Sequence, residues 1–188
     1  MEIGDKLETL GESAQYDLCN ACGSATRTRD DLGRWIYPAA LPDGRQVRVL
    51  KVLLTNVCDR NCYYCSVRAS RDVPRTSFTP EELARAFDRM HRADLVDGVF
   101  LSSAVCAGSG PTMDRMLACI ELIRGKYEFN GYVHLKLLPA VSQAHIERAL
   151  QLAPTIPVTM TLRRGRGARI IGWRVIRGGV ALVAAAAQ

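Results

Sequence analysis

No stretch of this 188-residue chain approaches the roughly 20 consecutive apolar residues that a membrane-spanning helix needs. Its amino terminus, MEIGDKLETL, lacks the pattern of a secretory leader. These two absences predict a cytoplasmic protein with no membrane partner. The cysteines lack the even number that a disulfide framework requires. There are 7, which argues for reduced thiols, some of them ligands. The composition also excludes a disordered tail, with 48% hydrophobic and 23% charged residues. The length suits one domain.

Acidic residues are missing altogether from positions 163–188, which hold Arg163, Arg164, Arg166, Arg169, Arg174 and Arg177 and no lysine. These six arginines equal the whole net charge of +6, so residues 1–162 balance 19 basic against 19 acidic side chains. The pI near 9.1 therefore carries no nucleic-acid signature for the body of the chain. The change of composition predicts a boundary near Leu162. It divides the chain into a helical and loop segment over 1–44, a core over 45–162 and an Arg/Gly/Ala-rich tail over 163–188. The tail is expected to be either the frameshifted or truncated end of a longer gene or a genuine basic extension.

Three cysteines are tightly grouped in Thr55-Asn56-Val57-Cys58-Asp59-Arg60-Asn61-Cys62-Tyr63-Tyr64-Cys65, a C-x3-C-x2-C array. Thiolates this close can wrap one small, soft metal centre, and three ligands on a four-iron cluster leave one iron open. A structural zinc site is the alternative. Zinc ribbons, however, pair two C-x2-C knuckles about 15–20 residues apart, and Cys22 and Cys62 are much farther apart.

The array follows a predicted strand over 45–55 (RQVRVLKVLLT), itself preceded by the turn Leu41-Pro42-Asp43-Gly44. After it comes a complete helix start. Thr79 is the N-cap, Pro80 takes the first helical position, Glu82 closes a capping box, and Phe78 and Leu83 form a hydrophobic staple. Further strands are expected at 98–103, 132–138 and from 158. Helices are expected at about 113–124 and 143–152. The strand–helix alternation predicts an α/β fold with about four parallel strands, a parallel sheet or part of a (βα) barrel. Chemistry in such folds sits on loops at the carboxyl ends of the strands. A sheet ending at the fourth strand would expose a parallel edge.

A C-x3-C-x2-C array with an aromatic before its third cysteine, just after the first strand of a βα series, resembles the radical S-adenosylmethionine (SAM) superfamily. The stretches ESAQYD, LPDGRQVRVLKVLLTNVCDRNCYYC, DVPRTSFTPEEL, DGVFLSS and GYVHLKLLPA are similar to one subfamily within it. That subfamily is named for DNA modification or repair and is encoded beside a uracil-DNA-glycosylase-like partner. The resemblance covers about residues 8–160. It implies the amino-terminal portion of a partial (βα)6 radical SAM barrel, with Cys58, Cys62 and Cys65 ligating a [4Fe–4S] cluster. It further implies S-adenosyl-L-methionine as second cofactor, a flavodoxin- or ferredoxin-like electron donor, and a nucleic-acid substrate. The cluster would cleave the sulfur–C5′ bond reductively to give a 5′-deoxyadenosyl radical. Tyr64 matches the aromatic position beside the adenine. Ser102 and Ser103 fall where a Gly-Gly-Glu-like motif meets the methionine amine, so Ser-Ser-Ala is a departure.

Other residues keep two readings each. His134 and Lys136 alternate on the third expected strand, either on the barrel interior, where Lys136 could meet a carboxylate or an anionic substrate, or on a solvated face. Cys19 and Cys22 could hold a second metal. Cys106 lies in a loop on the active face as a catalytic or a spectator thiol, and Cys119 reads as core. Arg68, Arg71 and Arg75 either contact phosphates at the site mouth or form a solvated loop beside Asp59 and Asp72.

Overall fold

The computed structural model describes the main chain of residues 1–17, 35–41, 44–153, 158–164, 167–176 and 179–184. Its order is α1 (Ile3–Ala14), β1 (Ile36–Ala40), β2 (Gln46–Leu53), α2 (Pro80–Arg92), β3 (Gly98–Ser102), α3 (Ser109–Glu121), β4 (Tyr132–Leu137), α4 (Gln143–Leu152), β5 (Val158–Arg164), β6 (Gly167–Ile176) and β7 (Gly179–Ala184). The strands form one sheet in chain order, and β2, β3, β4 and β5 run parallel. This is the α/β class expected, with helices joining successive parallel strands as in the first part of a βα barrel.

Local chemistry accounts for the helices. Thr79 accepts from the Glu82 N–H, Glu82 reaches back to the Thr79 N–H, and Pro80 opens α2. Leu83, Ala84, Ala86, Phe87 and Met90 form its buried face, with the staple residue Phe78 fully buried. Ser142 caps α4 in the same manner, with His145 in the place usually taken by a glutamate. Helix α3 starts at Ser109, four residues before the expected Met113. Gly110 and Pro111 disguise its first turn, where N–H groups have no intrahelical partner and proline is therefore tolerated. At its far end the chain continues as a π-helical turn over Leu122–Lys126.

The sheet has two distinct faces. Leu50, Val52, Val99, Leu101, Val133 and Leu135 join the helices in the main core, whereas Val49 and Phe100 pack with Ala39 on the other face. At the lower, amino-terminal edge Gly98 lies opposite Tyr132. A Cβ there would stand 2.7 Å from the Tyr132 carbonyl oxygen, so the close approach of β3 and β4 requires glycine. Arg48 clamps the same edge. Its guanidinium meets both Asp97 carboxylate oxygens (2.8 and 3.0 Å) and the Asp94 carboxylate (2.8 Å), and the bond to Asp97 above all pushes its pKa further up.

Two features depart from expectation. Strand β1 pairs antiparallel with β2 at the sheet edge, where Pro38 is harmless because an edge strand leaves N–H positions unused. The tail does not leave β5 as an edge, because β6 pairs antiparallel with β5, and β7 with β6. Only two residues separate β5 from β6, and two separate β6 from β7. A parallel crossover needs a dozen or more, so these connections can only reverse the chain. The parallel series therefore ends at β5. Among the described residues no helix is long and apolar enough to cross a membrane.

Helix α1 packs with the main core through Leu7, Leu10 and Ala14, and Lys6 joins Glu82 of α2 at 2.7 Å. The Lys6 ammonium, assisted by the Thr79 N–H, holds the Glu82 carboxyl below its ordinary range. This stabilisation is complete above the unfolded glutamate pKa of about 4.3 and is lost as pH falls through the lower folded value. The melting temperature should thus fall more steeply below about pH 5 in the wild type than in Glu82→Gln. Parallel profiles for the two proteins would refute the link.

Candidate metal centre

Cys58, Cys62 and Cys65 lie in the loop that leaves the carboxyl end of β2, the first parallel strand. All three are free thiols of intermediate exposure. Burial pushes the Cys65 thiol up, a hydrogen bond from the Val67 N–H opposes this, and charge on Cys58, Cys62 and Asp17 pushes it up further. Cys65 thus responds electrostatically to both other thiols. The loop folds on itself: the Cys65 N–H donates to Cys62 C=O (3.0 Å), the Ala69 N–H to Arg60 C=O (2.8 Å), and the Ser70 N–H to the Asn61 side chain (3.0 Å).

Neighbouring elements pin this loop from three sides. Thr55 and Ser77 form an antiparallel bridge at its base. Fully buried Asn56 donates to Ser13 of α1 (3.2 Å) and Pro74 C=O (2.8 Å) and accepts from the Thr76 N–H (2.8 Å). On the far side the Asp59 N–H donates to Val105 C=O (2.8 Å), and the Asp59 carboxylate accepts from the Gly108 N–H (3.0 Å). Gly108, with φ of 93°, is the N-cap of α3 and occupies the left-handed region that favours glycine. Buried Thr112 then accepts from the Cys106 N–H at 3.0 Å.

The remaining sequence candidates divide. Tyr64 stands beside Cys65 and is 62% exposed. Ser102 ends β3 buried, its carbonyl accepting from the Leu54 N–H (2.8 Å), while the half-buried Ser103 hydroxyl donates to Ala104 C=O (2.8 Å). His134 is buried against Phe100, with ring centroids 4.5 Å apart, so it is not on a solvated face. Lys136 pairs with Asp17, whose main-chain carbonyl accepts from buried Lys51. Asp17 therefore gathers the two lysines of the second sheet face, and nothing in its local sequence announces it.

Cys119 is fully buried and its thiol is pushed up to about 12 by that burial, which makes it a core residue. Cys106 has intermediate exposure. Cys19 and Cys22 lie outside the described residues. The arginines divide, Arg68 and Arg75 turning into their own loop and exposed Arg71 standing beside Asp72 as the charged-loop reading has it. Arg68 turns back to Tyr63 C=O (2.9 Å) and Ser70 (3.1 Å), and Arg75 is spent on main-chain carbonyls within the loop. Arg71 lines a groove whose other charged residues are Asp5, Glu8, Glu12 and Asp72, a setting that repels phosphate.

The donor set fits an iron–sulfur centre in chemistry and place: three soft, free thiols on one pinned loop at the carboxyl edge of a parallel sheet. Among the described residues no three His, Cys, Asp or Glu side chains are gathered closely enough to hold a metal ion. Ligation therefore requires the thiols to be drawn together within their loop. The family model described as the Radical SAM superfamily matches residues 52–159, from β2 through the cysteine loop into β5. No curated protein matches the chain.

Proposed function

The chain belongs to the radical SAM superfamily, and from that premise we propose that it is an enzyme holding a [4Fe–4S] cluster through Cys58, Cys62 and Cys65. The observation that carries this reading is the placement of three free thiols on the loop after the first parallel strand, inside the matched region. Bound there, such a cluster would relay an electron from an external reductant for the reductive cleavage of S-adenosylmethionine, the chemistry that would serve hydrogen-atom abstraction from substrate.

The chain's own groups bind and orient. Three thiolates are the most the array can offer, which leaves one cluster position for the methionine end of the cofactor. In this reading Tyr64 serves the adenine, and Ser102 and Ser103 serve the methionine amine. Lys136 serves a carboxylate or an anionic substrate, exchanging its Asp17 partner for that group. A flavodoxin- or ferredoxin-like protein supplies the electron. A nucleic-acid substrate and a uracil-DNA-glycosylase-like partner form the finer reading. They rest on the subfamily resemblance, because Arg68 and Arg75 are engaged inside their own loop.

Anaerobic reconstitution with iron and sulfide, followed by reductant and S-adenosylmethionine, tests the reading. The expected result is 5′-deoxyadenosine and methionine released only when reductant is present. A protein that retains zinc and leaves the cofactor intact is instead a metal-binding module without turnover.

A further inference from the structure

We propose that Arg75 is the positioning residue that closes the cysteine loop and thereby sets the shape in which its thiols converge; this rests on the cluster reading above. Its guanidinium donates to the carbonyls of Asn56, Val67 (2.6 Å), Arg68 (2.7 Å) and Arg71 (2.8 Å). Asn56 lies two residues before Cys58, and Val67 lies two residues after Cys65. One side chain thus joins the main chain on both flanks of the array.

The geometry explains why arginine occupies this place. Bringing the two ends of a loop of this length together costs conformational entropy that the loop's few internal bonds must offset. A planar guanidinium presents five N–H donors in a fixed fork, and charge-assisted bonds to carbonyls are stronger than neutral ones. An ammonium on a flexible stem can satisfy fewer of these carbonyls at once. The Nη1 atom alone bridges Asn56 and Val67, so it fixes the separation of the strand end and the chain beyond Cys65. Asn56 also holds Thr76, next to Arg75, so the clasp is anchored on buried main chain. Such a clasp narrows the conformations open to Cys58, Cys62 and Cys65 before any metal arrives, which is preorganisation of a ligand set.

Arg75→Gln and Arg75→Lys in the full chain test the proposal through two readouts. In metal-free protein, amide hydrogen exchange over residues 61–70 should accelerate by about tenfold or more in Arg75→Gln, with the strand amides of β3 and β4 unchanged. After anaerobic reconstitution, iron bound per chain should fall several-fold in Arg75→Gln and recover in part in Arg75→Lys. Wild-type exchange in the loop of Arg75→Gln overturns the clasp. Full iron loading despite a loosened loop overturns its positioning role, and faster exchange throughout the sheet shows a general structural residue instead. If the wild type itself takes up no iron, the cluster reading fails and the role assigned to the clasp fails with it. The exchange pattern then shows separately whether the clasp exists.

Discussion

Alanine at Cys58, Cys62 or Cys65 is expected to reduce iron incorporation to background, each substitution acting alone, while Cys119→Ala leaves incorporation at the wild-type level. The contrast follows from where the four thiols sit. The first three are free and partly exposed on one loop, and the loss of any one leaves two thiolates for a cluster that the array can hold only with three. Cys119 is fully buried in α3, and with its thiol pushed up to about 12 it stays protonated and away from metal. Iron and sulfide assays with visible absorbance after reconstitution read the difference directly. A single loop variant that retains the full complement would remove that residue from the ligand set, and loss of loading in Cys119→Ala would show that the assay reports folding.

The second large effect concerns the fold that carries the loop. Phe87→Ala should destabilise the protein by about 3–5 kcal/mol, a large fraction of the roughly 5–15 kcal/mol that holds a domain together. Phe87 is fully buried on α2, meets Phe129 edge to face at 4.8 Å and lies parallel to the His91 ring at 6.0 Å. Truncation removes apolar area and leaves a cavity between α2 and the chain entering β4. The packed helices cannot fill it by collapse. Urea unfolding of the metal-free chain measures the loss. A shift below about 1 kcal/mol would mean that the core relaxes far more than close packing allows.

How much of this was legible in the sequence follows from how local each cause is. Helix α4 spans Gln143–Leu152 as expected, and α2 begins at Pro80, because caps and apolar periodicity are written within a few residues. The three strands after β2 were equally readable from their apolar runs. Strand β1 was hidden by Pro38, which demotes a strand unless its place at the edge is known. The start of α3 was hidden by Gly110 and Pro111, whose helical tolerance depends on position in the turn. In the tail, composition suggested a break while connection length dictated antiparallel strands. The cysteine array stood out because its spacing is short. The groups around it did not, because Asn56 and Arg75, which brace the loop, and Asp17, which holds two lysines of the sheet, act through space. Lys136 meets Asp17 across 119 positions, and Arg75 looked like one surface charge among several.

The clamp of Arg48 on Asp94 and Asp97 lies at the end of the sheet opposite the cysteine loop. The molecule therefore has a handling end and a working end. A resin, dye or spin label coupled near exposed Asn130, where the chain enters β4 at that lower end, stays a full strand length from the thiols. Oxygen-sensitive loading can then be followed on immobilised protein, with the upper rim left open to iron, cofactor and reductant.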